Sequence, residues 1–361
     1  MSEVEIGGQA ISWTVASRFT LQICTHSDRA RWNEFVATQR SGSFYHKFEW
    51  GPLNRAELGG QPYYLAAFEE GNLVGVLPLT FVSSRLFGRI LCSMPYVNYG
   101  GPCALSAEAA GALVDGAITL ADGLKSDYLE LRCREPIPRS LPVSLDKISM
   151  TLELEPDPER VWSKFSSKHR TSIRRAEKNG LTVRSGGREL LPEFYSTMEL
   201  SWRALGTPLY RRAYFERIMA TFPDETRIFV ASAGGEPVGV AFNGYFGDTV
   251  EGMWAGGGPR ARELQVNYVL YWEMIRDACE RGYRRYHLGR STADSGAEDF
   301  KKKWNAAKEQ LHWFYYRPSG GSELPALNVR NARFRAAISA WRRLPLWATR
   351  AIGPHIARAI P

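Results

Sequence analysis

The sequence predicts a mixed α/β chain in two similar halves, each a mixed sheet flanked by helices, followed by a basic amphipathic helical tail. Three observations predict it. An apolar strand-like run after a Gly-containing turn occurs twice, as Gly71-Asn72-Leu73-Val74-Gly75-Val76-Leu77 and Gly235-Glu236-Pro237-Val238-Gly239-Val240-Ala241. Gly100-Gly101-Pro102 follows the first run and Gly257-Gly258-Pro259 the second, each leading into a helical pattern and then a short strand. Residues 325–361 hold seven arginines and no acid. Alternating strands and helices favour a sheet covered by helices, and the shared order of the anchors favours duplication.

In the first half the helix falls over 106–123 and the strand over 127–132. The second half opens where residues 151–155 run into Pro156-Asp157-Pro158. Asp157 as N-cap and Pro158 at the first helical position start a helix over 158–179. At about 100° per residue its Trp162, Phe165, His169, Ile173 and Ala176 share one face. Lys164, Lys168, Arg175 and Lys178 flank that stripe on one side, with Arg170 and Arg174 on the other. His169, on the stripe, reads as a packed core residue. The basic flanks suit either solvent or a phosphate, whose oxygens match arginine forks. A second long helix covers 261–281, with Leu264, Tyr268, Trp272, Ile275 and Cys279 at helical spacing and Gly282 as its C-terminal cap. A strand follows at 285–290. The expected domains are 1–155, 156–320 and the tail, 321–361.

In the tail, Leu327, Phe334, Ala337, Ile338 and Trp341 cluster on one helical face over 327–343, ringed by Arg333, Arg335, Arg342 and Arg343. Arg330 breaks the stripe and Pro345 ends the helix. Leu346, Trp347, Ile352, Ile356 and Ile360 continue the apolar pattern. Two readings fit: a helix docked on the protein's own body, or a segment for an anionic membrane surface. On the second, deleting 325–361 should release the protein from anionic vesicles while sparing activity on soluble substrates.

The formal charge is +8, yet without the tail 39 basic residues face 38 acidic ones. A body so nearly neutral gives no electrostatic reason to bind nucleic acid. Five cysteines, never spaced Cys-x-x-Cys, argue against a disulfide framework or thiolate zinc site. Residues 1–10 lack the basic start and apolar core of a signal peptide. No window reaches about 18 uninterrupted apolar residues. The expected location is the cytoplasm, with peripheral association at the inner face of the plasma membrane as the tail's contribution. The six histidines have no metal-ligand spacing, so no metal is expected. Neither a Gly-x-Ser-x-Gly elbow nor a Walker lysine loop nor a Rossmann glycine triplet is present.

The stretch with chemical promise is Leu288-Gly289-Arg290-Ser291-Thr292, followed by Asp299-Phe300-Lys301-Lys302-Lys303-Trp304. Loops just past a strand end are where α/β sheets place ligands, and a fixed cation there can stabilise an acyl-transfer oxyanion. Together with Lys168-His169-Arg170-Thr171-Ser172-Ile173-Arg174-Arg175-Ala176, Leu205-Gly206-Thr207-Pro208 with Tyr210, and Tyr268-Val269-Leu270-Tyr271-Trp272-Glu273-Met274-Ile275, it resembles the FemAB-like branch of the GNAT acyltransferases. The likeness is greatest to FemAB-related proteins of exopolysaccharide and protein-sorting systems. It runs through 160–316 and more faintly through 20–135.

The resemblance implies tandem GNAT domains and an N-acyltransferase acting on a cell-envelope, peptidoglycan or exopolysaccharide precursor. The acceptor amine would attack directly, with no covalent enzyme intermediate. It implies no bound cofactor, the acyl donor (aminoacyl-tRNA or acyl-CoA) being a cosubstrate. Lys301 would polarise the acyl carbonyl or stabilise the tetrahedral intermediate, with Phe300 and Trp304 in the substrate-binding set. Arg170 and Lys168 would hold the acceptor's diphosphate, while Thr207, Tyr210 and Arg290 would line its cleft. Tyr45, Lys47 and Tyr99 are the candidates from the first half. Three departures stand out. The stretch 260–267 has no glycine where CoA-using relatives carry a pyrophosphate loop. His287 stands where Asp is usual, and Asn305 where Gly is usual. The alternatives are a CoA-dependent GNAT acyltransferase on a small-molecule or sugar amine and, kept by the last two departures, a non-catalytic envelope-assembly scaffold.

Overall fold

A computed structural model describes residues 12–15, 18–85, 87–321, 324 and 332–360, without the side chains of 12–15 and 332–335. Residues 1–10, Leu327, Arg330 and the side chains of Arg333, Phe334 and Arg335 lie outside the described residues. The chain divides into two compact units that interleave in sequence. One is Met1–Lys147 with Gln310–Pro325 and Arg358–Pro361; the other is Ile148–Glu309 with Ala326–Ala357. Linear boundaries at 155 and 320 miss two strand exchanges. Strand Lys147–Glu153 pairs with Arg285–His287 of the second sheet, and His312–Tyr316 pairs with Tyr128–Cys133 of the first.

The first sheet runs Ser12–Val15, Phe19–Cys24, Gln61–Glu69, Asn72–Ser84, Gly88–Ser93, Tyr128–Cys133, His312–Tyr316, Val143–Ser144, with Cys103–Ala104 pairing beside Asn72–Ser84. The second runs Leu181–Gly186, Thr226–Ala233, Glu236–Phe246, Thr249–Gly257, Arg285–His287, Lys147–Glu153, Ser291–Thr292, with Ala307–Gln310 pairing beside Lys147–Glu153. In both sheets a parallel join stands at the corresponding place, Gly88–Ser93 to Tyr128–Cys133 in the first and Thr249–Gly257 to Arg285–His287 in the second.

The duplication reaches individual residues. Each hairpin turns through two left-handed positions, Glu70 and Gly71 (φ 49° and 80°) and Gly234 and Gly235 (φ 58° and 84°), the two-residue turn that matches strand twist. A bulge follows at the same place in both, between Ala67 and Phe68 and between Ala231 and Ser232. Gly75 and Gly239 then let the long helix close on the strand. A Cβ would stand 2.9 Å from Leu113 Cδ1 at Gly75 and 2.3 Å from Val266 Cγ1 at Gly239. Gly239→Ala is therefore expected to cost about 1–3 kcal/mol through overpacking. At Gly258 a Cβ meets nothing nearer than 3.7 Å, so Gly258→Ala should unfold in urea nearly as the parent does. Equal losses would remove the close-packing explanation.

The long helices are Ala107–Gly123 and Val266–Glu280. The second starts later than its periodicity predicts, because residues 258–265 form turns. The helix expected over 158–179 is two, Pro158–Ser163 and Ser167–Glu177. Ser166 breaks it by capping the second piece, its Oγ accepting from His169 N–H, a use of serine that competes with helix continuation. Val266–Glu280 covers one face of the second sheet, packing Val266, Leu270 and Ile275 into the core with Ala241, Val250 and Tyr286. Helix Leu191–Leu205 covers the other, with the Phe194 ring 5.6 Å from Phe242.

The tail folds as helices Ala332–Arg343 and Leu346–Ala357 within the second unit. It docks on Leu191–Leu205 with Trp341, Ala348 and Ala357 buried. Arg350 grips the buried carboxylate of Glu199 through two hydrogen bonds of 2.7 Å. Of the tail's two readings, its described helices take the first. Trp347 and Ile352 nonetheless face outward, 73% and 45% exposed. No helix among the described residues is long and apolar enough to cross a membrane.

Candidate functional site

The parallel strands of the second unit stay paired for only three rungs, Thr249–Arg285, Val250–Tyr286 and Glu251–His287. Beyond them Thr249–Gly257 continues against Glu236–Phe246 while its neighbour ends, and the sheet splits. Gly289 makes the departure possible. Its φ is 77°, and a Cβ there would lie 2.6 Å from Gly252 O.

Lys301 enters at this split from helix Gly296–Lys302, which Ser295 caps. It is 6% exposed, and its Nζ donates to Gly289 O at 2.6 Å and Arg290 O at 3.3 Å. Burial, and then the Arg290 guanidinium, pull its pKa down to about 7, since both disfavour a charged amine. On its own helix, Glu298 is committed to Lys302 and Lys308 at 2.9 and 3.0 Å.

Trp304 follows on the same turn, its backbone N–H donating to Lys301 O. Fully buried, it meets the His169 ring edge-on at 4.4 Å and the Phe165 ring at 5.5 Å, and stacks near Tyr271 at 5.7 Å. Phe300 joins the cluster against Tyr268 and Tyr271. Burial and the Lys303 cation push the His169 pKa down to about 4, so it is a neutral core residue. Lys168 is exposed. Arg170 directs Nη1 to Ser163 O and Phe165 O at 2.9 and 2.8 Å, tying the helix break together. Arg290 thus stands beside Lys301 and Phe300 beside Trp304, while Lys168 and Arg170 are linked to this cluster through His169 between them in sequence.

Thr207 and Tyr210 stand elsewhere. They follow Gly206, the left-handed cap of Leu191–Leu205. Thr207 lines a small cavity with Glu199, Trp341 and Arg350 under the docked tail. Tyr210 is buried, and its carbonyl accepts from Tyr195 OH at 3.0 Å. Tyr45 and Tyr99 are core residues of the first unit, edge-on at 5.1 Å, and Lys47 is half-buried beside them in sequence. At the first unit's own parallel join, a buried pair fills the corresponding place. Arg132 Nε donates to Glu130 Oε1 at 2.6 Å, and the guanidinium stacks over Trp313.

Two residues escape the sequence reading. Ser149 hydrogen-bonds His287 Nε2, and His287 Nδ1 lies 3.1 Å from Glu251 Oε2. All three are at most 2% exposed. The available signal is the alternation Ile148-Ser149-Met150-Thr151-Leu152, which puts hydroxyls on one face of a buried strand. Ahead of Val266–Glu280, the amides of Ala261, Leu264, Gln265 and Val266 donate to Gly258, Arg260, Arg262 and Ala261 carbonyls. They face their own loop, not an incoming pyrophosphate. Among the described residues no cluster of three or more His, Cys, Asp or Glu could hold a metal.

Residues 163–302 match the family model of the acetyltransferase (GNAT) domain. The fold is similar to that of FemX, with a TM-score of 0.61 and 15% identity over 80% of this chain and 96% of that one. The C-terminal domain of a putative lysylphosphatidylglycerol synthetase from Agrobacterium fabrum gives 0.53 and 15%, over 82% and 93%. A tandem GNAT protein from the clavulanic acid biosynthesis pathway gives 0.52 and 12%, over 84% and 99%. No curated protein matches the sequence significantly. Residues 163–302 thus carry a GNAT acetyltransferase domain, seated in the second of two matching sheets, and the chain's fold is similar to the tandem fold of these structures.

Proposed function

We propose that the protein is an N-acyltransferase that moves an acyl or aminoacyl group onto an amine of a cell-envelope, peptidoglycan or exopolysaccharide precursor. The observation that carries this reading is Lys301, buried at the sheet split with its pKa near 7 and Nζ fixed on two carbonyls. Protonated, it has three N–H bonds. Two are taken, and the third remains for the donor's carbonyl oxygen, where negative charge grows as the amine attacks. The new C–N bond forms as the donor's C–O or C–S bond breaks, and the amine's proton leaves with the departing oxygen or sulfur. Arg170 and Lys168 hold the acceptor's diphosphate, and Arg290 lies at the mouth. Of the acceptor-cleft residues that the resemblance implies, Arg290 is the one beside Lys301, and the tail's outward Trp347 face rests on an anionic lipid surface.

The inward-turned amides of 261–266 favour aminoacyl-tRNA as donor. The acetyltransferase family model favours acyl-CoA, kept as the second reading. Purified protein is to be assayed with labelled aminoacyl-tRNA and with acyl-CoA. Transfer abolished by RNase supports the first donor, and RNase-insensitive transfer from CoA sinks it. If neither donor yields product and Lys301→Ala leaves the cellular phenotype intact, the protein is a scaffold.

A further inference from the structure

The row Ser149–His287–Glu251 has no part in the chemistry above. It spans three adjacent strands, Lys147–Glu153, Arg285–His287 and Thr249–Gly257. His287 pairs with Glu251 on one side and Thr151 on the other, and Ser149 lies two residues before Thr151, so the side chains share one face. The opposite face at these rungs carries Val250, Tyr286 and Leu152, all core residues. Polar groups so deeply buried cost stability unless each is matched. His287 Nδ1 stands 3.1 Å from Glu251 Oε2, and Nε2 meets the Ser149 hydroxyl, so each ring nitrogen faces a polar group. The ring is hydrogen-bonded at Nε2 and lies within ion-pair distance of a carboxylate at Nδ1.

This rung is the last before the split. The next N–H, Leu288, donates to Met150 O at 2.8 Å. The following two carbonyls, Gly289 and Arg290, are those that hold Lys301 Nζ. We propose that the Ser149–His287–Glu251 row is the positioning element of the acyl-transfer site, fixing the rung from which the Gly289 and Arg290 carbonyls project and so the aim of Lys301. The proposal rests on the functional reading of Lys301. The charged groups around Lys301 are Arg290 and, on its own helix and its C-cap, Glu298, Asp299, Lys302 and Lys303. Those facing His287 are Glu251 and the hydroxyls of Ser149 and Thr151.

The test uses Ser149→Ala, His287→Gln and Glu251→Gln in the full chain, with circular dichroism to confirm folding. Lys301 is titrated without substrate by NMR of labelled lysine side chains, its signal assigned by loss in Lys301→Arg. The expected result is a Lys301 midpoint raised from about 7 by roughly one unit or more as its site loosens. Acyl transfer should show kcat at least about tenfold lower with KM little changed, a loss confined to the transition state. Ser149→Thr, which keeps the hydroxyl, should restore both. An unchanged midpoint and kcat with only a lowered Tm would overturn the proposal. If His287→Gln does not fold, Ser149→Ala alone decides. Should the midpoint move in Ser149→Ala while the parent transfers no acyl group, the positioning role stands and the functional reading falls.

Discussion

Lys301→Ala is expected to lower kcat/KM about 10²–10³-fold, the usual loss when one preorganised oxyanion donor is removed. Lys301→Arg, which keeps a cation but not the amine, should fall between the two. The pH profile carries a separate signature. An acceptor amine must shed its proton to attack, so kcat/KM rises with pH, while Lys301 is losing its own proton through about 7. The two effects offset above that point. The profile should rise to about 7 and then level, and Lys301→Arg should rise straight through. A bend that survives in Lys301→Arg belongs to another group. Stability gives a third reading. A lysine at 10.5 in the unfolded chain and about 7 in the fold binds protons more readily when unfolded. The charged form therefore destabilises the fold fully below pH 7, and the penalty fades as pH rises toward 10.5. Lys301→Met should accordingly gain Tm relative to the parent most at low pH and least at high pH. A gain that does not depend on pH would mean the amine is not the buried cation inferred here.

How much of this was legible in the residues depends on the range of the interaction. The duplicated hairpins were readable, because Gly71 and Gly235 in the turns and Gly75 and Gly239 under the helices answer local demands of backbone and packing. That His169 is packed follows from helical phase; that it is neutral follows from its burial beside Lys303. The break at Ser166 was hidden, since a serine inside an amphipathic pattern shows its capping role only once the chain bends. The strand exchanges were hidden for a different reason. Nothing local to Lys147–Glu153 or His312–Tyr316 says which sheet completes itself with which strand. The same holds at the site. Lys301 is singled out by the family resemblance, and His287 only as a residue unexpected in that pattern. Ser149 and Glu251 come to His287 from strands far apart in the chain, and only register brings them together.

The tail shows what docking changes. Arg350→Ala leaves the Glu199 carboxylate buried and unpaired, a loss of about 2–3 kcal/mol. The lower end is favoured because the Arg350 side chain is itself 57% exposed. Glu199→Gln keeps the shape without the charge and should cost less. Both are measured by urea unfolding, with limited proteolysis in the tail reporting undocking. If Arg350→Ala leaves stability and cleavage unchanged, the tail is not held as described. Deleting 325–361 would strip the cover from Trp341's seat and from Thr207, so it no longer separates membrane attachment from site integrity. Point changes on the outward face do. Trp347→Ser with Arg343→Gln leaves the Arg350–Glu199 grip in place and removes an exposed aromatic and a cation. Such a face binds through apolar insertion and attraction to anionic lipid. The double variant should sediment less with phosphatidylglycerol vesicles than the parent, which should itself ignore phosphatidylcholine vesicles. If parent and variant sediment alike, the arginine excess serves docking on the second unit and has no role at a lipid surface.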